Sequence, residues 1–340
     1  MKLERIIGHE HIVTALRRMV EEERVAHAYL FAGPSGVGKA TVAGAFAAAL
    51  LCRQPRSGDA CGQCRDCLQV AGENHPDLHR ILPDGSSIKI EQVREMLRRL
   101  VLRPYQGERQ VHLVMDADLM TAGAANCLLK TLEEPPPGAV LILITARPQA
   151  LLPTVVSRCQ VFTFHPLSVA AVAAILDREL SLPPAEAQTL ARLSGGCPGR
   201  ALQMAAVEGG YGAEREKVLE LAVMMGRATG GEALSLAASW AEDKQRALAG
   251  LELLQMWYRD LLVWRETGDG EMLINRDRRE AIAREAARYD RGGLLSRIRA
   301  IEETRNSLAV NVNTRLALEM LFLGLAGTGS PAVAAGAALG

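Results

Sequence analysis

Residues 30–44 of this chain read LFAGPSGVGKATVAG. The apolar run at the start predicts a buried strand, and the Ala-rich segment that follows predicts a helix. Between them lies the pattern GxxxxGK, in which backbone N–H groups and the positive end of the helix bind phosphate and the lysine neutralises it. We therefore predict a phosphate-binding loop that contains Gly33, Gly36, Gly38 and Lys39.

The position after the lysine departs from the usual pattern. A Ser or Thr there normally binds Mg²⁺ through its hydroxyl, but this chain has Ala40. Thr41 comes next, and a shift of one residue on a helix rotates the side chain by about 100°. Thr41 is therefore expected to be a poor replacement for the missing hydroxyl.

A second departure lies in the segment VHLVMDADLM, residues 111–120. It predicts a strand that ends in acidic residues, where P-loop ATPases hold Mg²⁺ through an Asp and polarise water through a neighbouring side chain. Asp116 is the candidate, but no register of this segment supplies two adjacent acids. An alternative is that Asp116 and Asp118 only cap the next helix. With two anchors for Mg²⁺ lost, we predict little or no ATPase activity for the isolated chain.

Strands and helices alternate through residues 1–166, which predicts an α/β domain built on a parallel sheet. Residues 167–207 predict a small helical domain, and residues 208–326 are predicted to be helical throughout. Residues 327–340 are small and uncharged, and we predict that they form a disordered tail.

Four cysteines follow the helix after the loop. Cys52, Cys61, Cys64 and Cys67 have the spacing C-x8-C-x2-C-x2-C within a polar, Gly-rich stretch. Four thiolates suit a structural Zn²⁺ ion, and with all four positions filled no open site is left for catalysis. Free thiols or an iron–sulfur cluster are the alternatives. The sequence predicts a zinc-binding module at 52–67.

The composition and the N-terminal segment argue against a strongly basic nucleic-acid-binding protein and against a membrane protein. The 340 residues include 39 Lys plus Arg and 39 Asp plus Glu, so no bulk positive field attracts nucleic acid. The charged N-terminal segment does not resemble a signal peptide, and no apolar stretch is long enough to span a membrane. We expect a cytoplasmic protein without membrane partners, in which clustered cysteines bind metal.

Residues 126–167, NCLLKTLEEPPPGAVLILITARPQALLPTVVSRCQVFTFHPL, resemble the clamp-loader branch of the AAA+ ATPases. Three features carry the resemblance: the helix end LLKTLEEPP (128–136), the triplet SRC (157–159) and the four-cysteine insertion. In bacteria this set is typical of clamp-loader subunits of DNA polymerase III. The resemblance covers residues 4–205 well and residues 306–325 less specifically.

The resemblance implies a fold and partners. The α/β domain would be an AAA+ P-loop domain with the zinc-binding insertion, followed by a helical lid domain and an all-α collar domain that forms oligomers. The partners would be gamma/tau and delta subunits, the sliding clamp, and primer-template DNA within the assembled complex. The function would be to load the sliding clamp onto primed DNA during replication.

The resemblance also implies roles for single residues. Arg158 of the SRC triplet would be an arginine finger that acts in trans on ATP held by a neighbouring subunit. Thr145 matches the position called sensor one. The sensor-two arginine falls on Gly199, with Arg200 one residue late, which leaves the role of Arg200 open. Lost Mg²⁺ anchors beside a retained Arg158 resemble the subunit type that does not hydrolyse ATP, and leave open whether ATP or ADP binds.

Two other hypotheses compete with this interpretation. The chain could be a gamma/tau-like subunit with its own ATPase activity, tolerating Ala40. Alternatively, the cysteine segment could read nucleic acid. Between Cys52 and Cys67 there are three Arg and no aromatic residue, which is little for stacking on bases.

Overall fold

The computed structural model describes residues 2–206, 211–309 and 312–326. The chain divides into two compact units, Met1–Met204 and Ala205–Gly340. The predicted domain boundaries at 166 and 207 stay predictions, and the predicted tail at 327–340 lies outside the described residues.

The first unit is built on a five-stranded sheet in which every pair of neighbours is parallel. The strands, in chain order, are β1 (Ala28–Ala32), β2 (Leu78–Ile81), β3 (Gln110–Val114), β4 (Ala139–Thr145) and β5 (Gln160–Thr163). Their order across the sheet is β2-β3-β4-β1-β5. The parallel sheet predicted from the sequence is therefore confirmed.

Helices cover the sheet and extend the first unit. They are α1 (Glu10–Glu21), α2 (Lys39–Leu51), α3 (Arg65–Ala71), α4 (Ile90–Leu100), α5 (Ala122–Glu133), α6 (Pro153–Val156), α7 (Val169–Leu180), α8 (Pro184–Leu193) and α9 (Pro198–Ala205). Helix α2 begins at Lys39, directly after the left-handed Gly38 that ends the loop.

The side chains of β1 alternate between two apolar cores. Tyr29 and Phe31 pack with α1 and α2 on one face, whereas Leu30 on the other face packs with α5 and α6 through Leu128 and Val155. A sheet buried on both faces is the reason that the strands read as continuous apolar runs. Both faces are fixed by packing, so the carboxyl ends of the strands meet at a rigid edge.

In the second unit, the described residues form helices and no strand. The helices are α10 (Tyr211–Met225), α11 (Gly230–Trp240), α12 (Lys244–Thr267), α13 (Arg279–Ala286), α14 (Arg291–Ala309) and α15 (Thr314–Leu325). Trp257 and Tyr258 of α12 are buried in the core of this unit. Buried Asp260 accepts hydrogen bonds from the backbone N–H groups of Ile274 and Asn275, which fixes the segment after α12. Within the described ranges, no helix is both long and apolar enough to cross a membrane.

Candidate functional site

The predicted phosphate-binding loop connects β1 to α2 at the carboxyl edge of the sheet. Gly36 has a φ of 75° and Gly38 a φ of 110°, backbone conformations that residues with a Cβ rarely adopt. The N–H of Gly33 donates to the carbonyl of Thr145 at 3.2 Å, which joins the loop to the end of β4. Ligands of open α/β sheets bind at this edge, so the loop has the position and the backbone of a phosphate cradle.

The side chain of Lys39 forms hydrogen bonds with its own loop. Its Nζ donates to the carbonyls of Gly33 at 2.5 Å and Pro34 at 2.7 Å, and the residue is only 6% exposed. Burial lowers the pKa of Lys39, and the charges of Asp116 and Asp118 offset part of that effect. A phosphate group would have to draw the ammonium away from these carbonyls.

Helix α9 closes against the loop at the position predicted for sensor two. The N–H of Gly199 donates to the carbonyl of Gly36 at 2.8 Å. A Cβ at Gly199 would lie 3.1 Å from the Cα of Gly36, so a longer side chain would crowd the loop. In this conformation, position 199 serves a backbone contact and Arg200 directs its own amide toward Cys197.

Ala40 and Thr41 lie at the start of α2 and are both exposed. They border a cavity of about 370 Å³, which is also lined by Ile7, His9 and Leu202. His9 Nε2 forms a hydrogen bond with the carbonyl of Val37 at 3.0 Å, and the His9 ring packs edge-on against Phe164. The loop is thus held from the N-terminal segment as well as from α9.

The two acids that follow β3, Asp116 and Asp118, lie in different environments. Asp116 is exposed and has a left-handed φ of 47°. Asp118 instead accepts hydrogen bonds from Thr145 Oγ1 at 2.7 Å and Arg147 Nε at 2.9 Å. Neither acid caps a helix through its side chain: Asp116 occupies the N-cap position of the short 3-10 helix Ala117–Leu119 without a side-chain hydrogen bond, and Thr121 caps α5 by accepting from the N–H of Ala124.

Thr145 is a structural hydrogen-bonding residue in this geometry. It is fully buried, donates to Asp118 and accepts from the N–H of Arg147 at 2.9 Å. Burial raises the pKa of Asp118, but the hydrogen bonds from Thr145 and Arg147 outweigh it and leave the pKa lowered. Asp118 is therefore held as a carboxylate that ties the ends of β3 and β4 together.

Thr145→Val is expected to destabilise the chain by about 1–3 kcal/mol, because a buried carboxylate loses a donor. Chemical denaturation of the purified variant measures this loss. Thr154→Val, at an exposed position, is the matched control and should change stability little. Since the depressed pKa of Asp118 adds stability only above that pKa, the difference should shrink as the pH falls through it. Equal stability of the two variants at neutral pH would contradict the structural role.

Arg158 lies just before β5, away from the loop. Its Nη2 donates to Glu133 Oε1 at 2.7 Å, and its Nη1 donates to the carbonyl of Thr154 at 3.0 Å. The side chain of Arg158 is 35% exposed. The structure thus brings the loop, Asp116 and Thr145 to one edge of the sheet, and places Arg158 at a different part of the surface.

The four predicted cysteines come together. Their Sγ atoms all lie within 4.8 Å of one another, and the pairs Cys52–Cys64 and Cys61–Cys67 are each 3.9 Å apart. Zn–S bonds of about 2.3 Å in a tetrahedron give S···S distances of about 3.8 Å. Hydrogen bonds from backbone N–H groups, chiefly those of Gln63 and Cys64, lower the pKa of Cys61 to about 6, whereas burial raises the pKa values of Cys52 and Cys67. The cluster therefore has the sulfur spacing of a site that can hold a metal ion.

The cysteine segment is fastened to the N-terminus of the chain. Asp59 is buried and accepts hydrogen bonds from the backbone N–H groups of Leu3 at 2.9 Å and Glu4 at 2.8 Å. The carbonyl of Ser57 accepts from Arg17 on α1, and a Cβ at neighbouring Gly58 would lie 2.0 Å from the Arg17 carbonyl oxygen. The segment is a packed part of the first unit, so its folding is coupled to that of α1.

Sequence reasoning missed the contacts of three residues that shape these sites. His9 acts through contacts with distant residues that no local motif marks, and Asp118, which the sequence indicated only as a possible helix cap, instead binds Thr145 and Arg147. Glu133, the partner of Arg158, belongs to the quoted stretch LLKTLEEPP, so its motif was visible although its contact was not.

Family models match most of the chain. The model described as "DNA polymerase III, delta subunit" matches residues 8–168, and the one described as "DNA polymerase III, delta subunit, C terminal" matches residues 213–326. The second model covers the helical second unit, where the sequence itself offered little that is specific.

Curated relatives agree with these models. The delta-prime subunit of DNA polymerase III from Bacillus subtilis is 31% identical over 92% of this chain and 94% of its own length. The delta-prime subunit from Pseudomonas aeruginosa is 43% identical over 51% of this chain and 54% of its own length. The tau subunit from Escherichia coli is 32% identical over 72% of this chain, but over only 39% of its own length. With its nearly full-length match to a curated delta-prime subunit, this chain belongs to the delta-prime subunits of DNA polymerase III, a clamp-loader family.

Proposed function

We propose that this chain is a clamp-loader subunit that does not hydrolyse ATP itself. It supplies Arg158 in trans to ATP bound on a neighbouring gamma/tau-type subunit during loading of the sliding clamp onto primed DNA. The observation that carries the proposal is the placement of Arg158, a half-exposed guanidinium whose contacts all lie outside the chain's own phosphate loop.

The chain's own phosphate loop supports the statement that it does not hydrolyse ATP itself. Ala40 offers no ligand for Mg²⁺, and Asp116 stands without a neighbouring acid at the end of β3. Without the metal, the charge that develops on the β- and γ-phosphates is poorly neutralised. Lys39 and the backbone amides still form a cradle, in which ATP or ADP could bind without turning over.

The isolated chain is therefore expected to hydrolyse ATP far more slowly than the roughly 1 s⁻¹ at the low end of typical enzymes. Steady-state phosphate release from the purified chain, with and without Mg²⁺, measures this. Lys39→Ala is the control and should leave the background rate unchanged. Turnover at an ordinary rate that Lys39→Ala abolishes would favour the gamma/tau-like alternative instead.

We infer a structural zinc ion in the cysteine cluster. Four sulfur ligands at near-tetrahedral spacing leave no coordination position for substrate, so the ion's contribution would be to fold the segment. An iron–sulfur cluster or free thiols would give a different metal content, which analysis of the purified chain distinguishes.

The partners follow from the proposed role. Gamma/tau and delta subunits would complete the loader, and the sliding clamp and primer-template DNA would be bound by the assembled complex. The second unit, helical in its described residues, would be the collar that holds the subunits together. A role on chromosomal DNA would place the chain in the cytoplasm.

A further inference from the structure

The two motifs that carry the family resemblance meet in one contact. Glu133 belongs to LLKTLEEPP at the end of α5, and Arg158 belongs to SRC, 25 residues later. Glu133 Oε1 lies 2.7 Å from Arg158 Nη2, and the carbonyl of Thr154 lies 3.0 Å from Nη1. Nη1 also donates to Ser157 Oγ at 3.5 Å. The guanidinium is therefore held by its own subunit through both Nη1 and Nη2.

This arrangement leaves much of the guanidinium fork available. A guanidinium has five N–H donors, and the contacts with Glu133, Thr154 and Ser157 use at most three of them. The side chains of Arg158 and Glu133 are 35% and 53% exposed, so the pair lies at the surface. A phosphate on another subunit can approach the remaining donors while these contacts persist.

We propose that Glu133 is a positioning residue for Arg158. This inference rests on the proposed action of Arg158 in trans. Arginine has a long side chain that loses much rotamer freedom when it is ordered. The contact with Glu133 orders it before a neighbouring subunit binds, so less freedom is lost when the guanidinium meets the phosphate.

The charge of Glu133 has an opposing effect. A carboxylate beside the finger repels a phosphate, and it also competes with it for the guanidinium. Between exposed groups this repulsion is screened by water and salt. Positioning should therefore outweigh repulsion, and Glu133→Gln, which keeps an oxygen acceptor and removes the charge, separates the two effects.

The test uses the loader assembled from this chain with gamma/tau- and delta-type subunits, in the presence of clamp and primed DNA. Stimulated ATP hydrolysis is measured for the wild type, Glu133→Ala, Glu133→Gln, Arg158→Ala and the double variant Glu133→Ala/Arg158→Ala. Glu134→Ala is the matched control, because Glu134 is the next residue and is also exposed.

Because an exposed ion pair is a weak restraint, Glu133→Ala is expected to lower kcat by about 2- to 5-fold. The KM for ATP should not change, since Glu133 does not bind the nucleotide. Glu133→Gln should retain most of the rate, and Glu134→Ala should match the wild type. In the Arg158→Ala background, Glu133→Ala should have no further effect, because the two residues act as a unit.

Other results would contradict either the role of Glu133 alone or the proposed function as a whole. If Arg158→Ala slows hydrolysis but Glu133→Ala does not, Glu133 is not a positioning residue and the proposed function stands. Glu133 is likewise not a positioning residue if Glu133→Ala slows hydrolysis equally in the wild type and in Arg158→Ala. The same conclusion follows if Glu133→Ala and Glu133→Gln both accelerate hydrolysis. If Arg158→Ala hydrolyses ATP as fast as the wild type, the proposed function itself is wrong, and this inference with it.

Discussion

Arg158→Ala is expected to abolish the fast phase of ATP hydrolysis at the one loader site that Arg158 serves. Arginine fingers contribute about 10³–10⁵-fold to the rate, or roughly 4–7 kcal/mol of the barrier. Other ATP sites in the loader would keep their own fingers, so overall turnover should fall less than turnover at this site. A rapid-quench experiment under single-turnover conditions resolves the loss as a lower amplitude of the fast phase of ATP hydrolysis, which is called the burst below.

Two further variants sharpen this result. Arg158→Lys keeps the positive charge but loses the planar fork, and it should recover only a small part of the rate. Arg18→Ala removes an exposed arginine that also pairs with a glutamate, Glu22, and should leave the burst unchanged. Arg158 forms only surface contacts, so folding and assembly of the variant should be normal by size-exclusion chromatography. A normal burst from an assembled Arg158→Ala loader would contradict the role in trans.

Removal of the proposed zinc ion from the cysteine cluster is expected to unfold the segment around it. Metal binding by four thiolates supplies folding free energy, about 10–16 kcal/mol in zinc-finger peptides. Here the segment also binds residues 3 and 4 through Asp59, so these contacts with the N-terminal residues should be lost with it. Cys64→Ser should therefore lower the melting temperature and open the polypeptide to proteases between residues 52 and 67.

The measurements are metal content, thermal unfolding and limited proteolysis of the purified chain. The wild type should contain one zinc ion per chain. Cys127→Ser changes a half-buried cysteine outside the cluster, and should retain the metal and the protease resistance. A metal-free wild type with the same melting temperature and resistance would show that the cluster does not need an ion.

The fold could be predicted from the sequence because its signals are local. Apolar runs of strand length, such as residues 139–146, reflect burial on both faces of the sheet. The observed strand Ala139–Thr145 differs from that run by one residue. The pattern GxxxxGK fixed the loop because left-handed positions at Gly36 and Gly38 favour glycine.

The candidate site was harder to predict, because its decisive contacts join distant residues. No local pattern shows that Lys39 turns to the carbonyls of Gly33 and Pro34, since a side-chain rotamer depends on the completed loop. Likewise, the spacing of Asp118 suggested a helix cap, whereas β4 offers it a stronger partner in Thr145. The sequence gives residue types, and tertiary packing decides which of them meet.

We propose that this chain lacks anchors for Mg²⁺ and acts through Arg158 on a neighbouring subunit. The sharpest test is a structure of the assembled loader with ADP and aluminium fluoride, because this mixture mimics the transition state of phosphoryl transfer. We predict that the Arg158 guanidinium lies within hydrogen-bond distance of the fluoride on the neighbouring subunit's nucleotide, with no Mg²⁺ at this chain's own loop. A Mg²⁺–nucleotide complex coordinated at the Lys39 loop, with water placed for in-line attack, would contradict the claim.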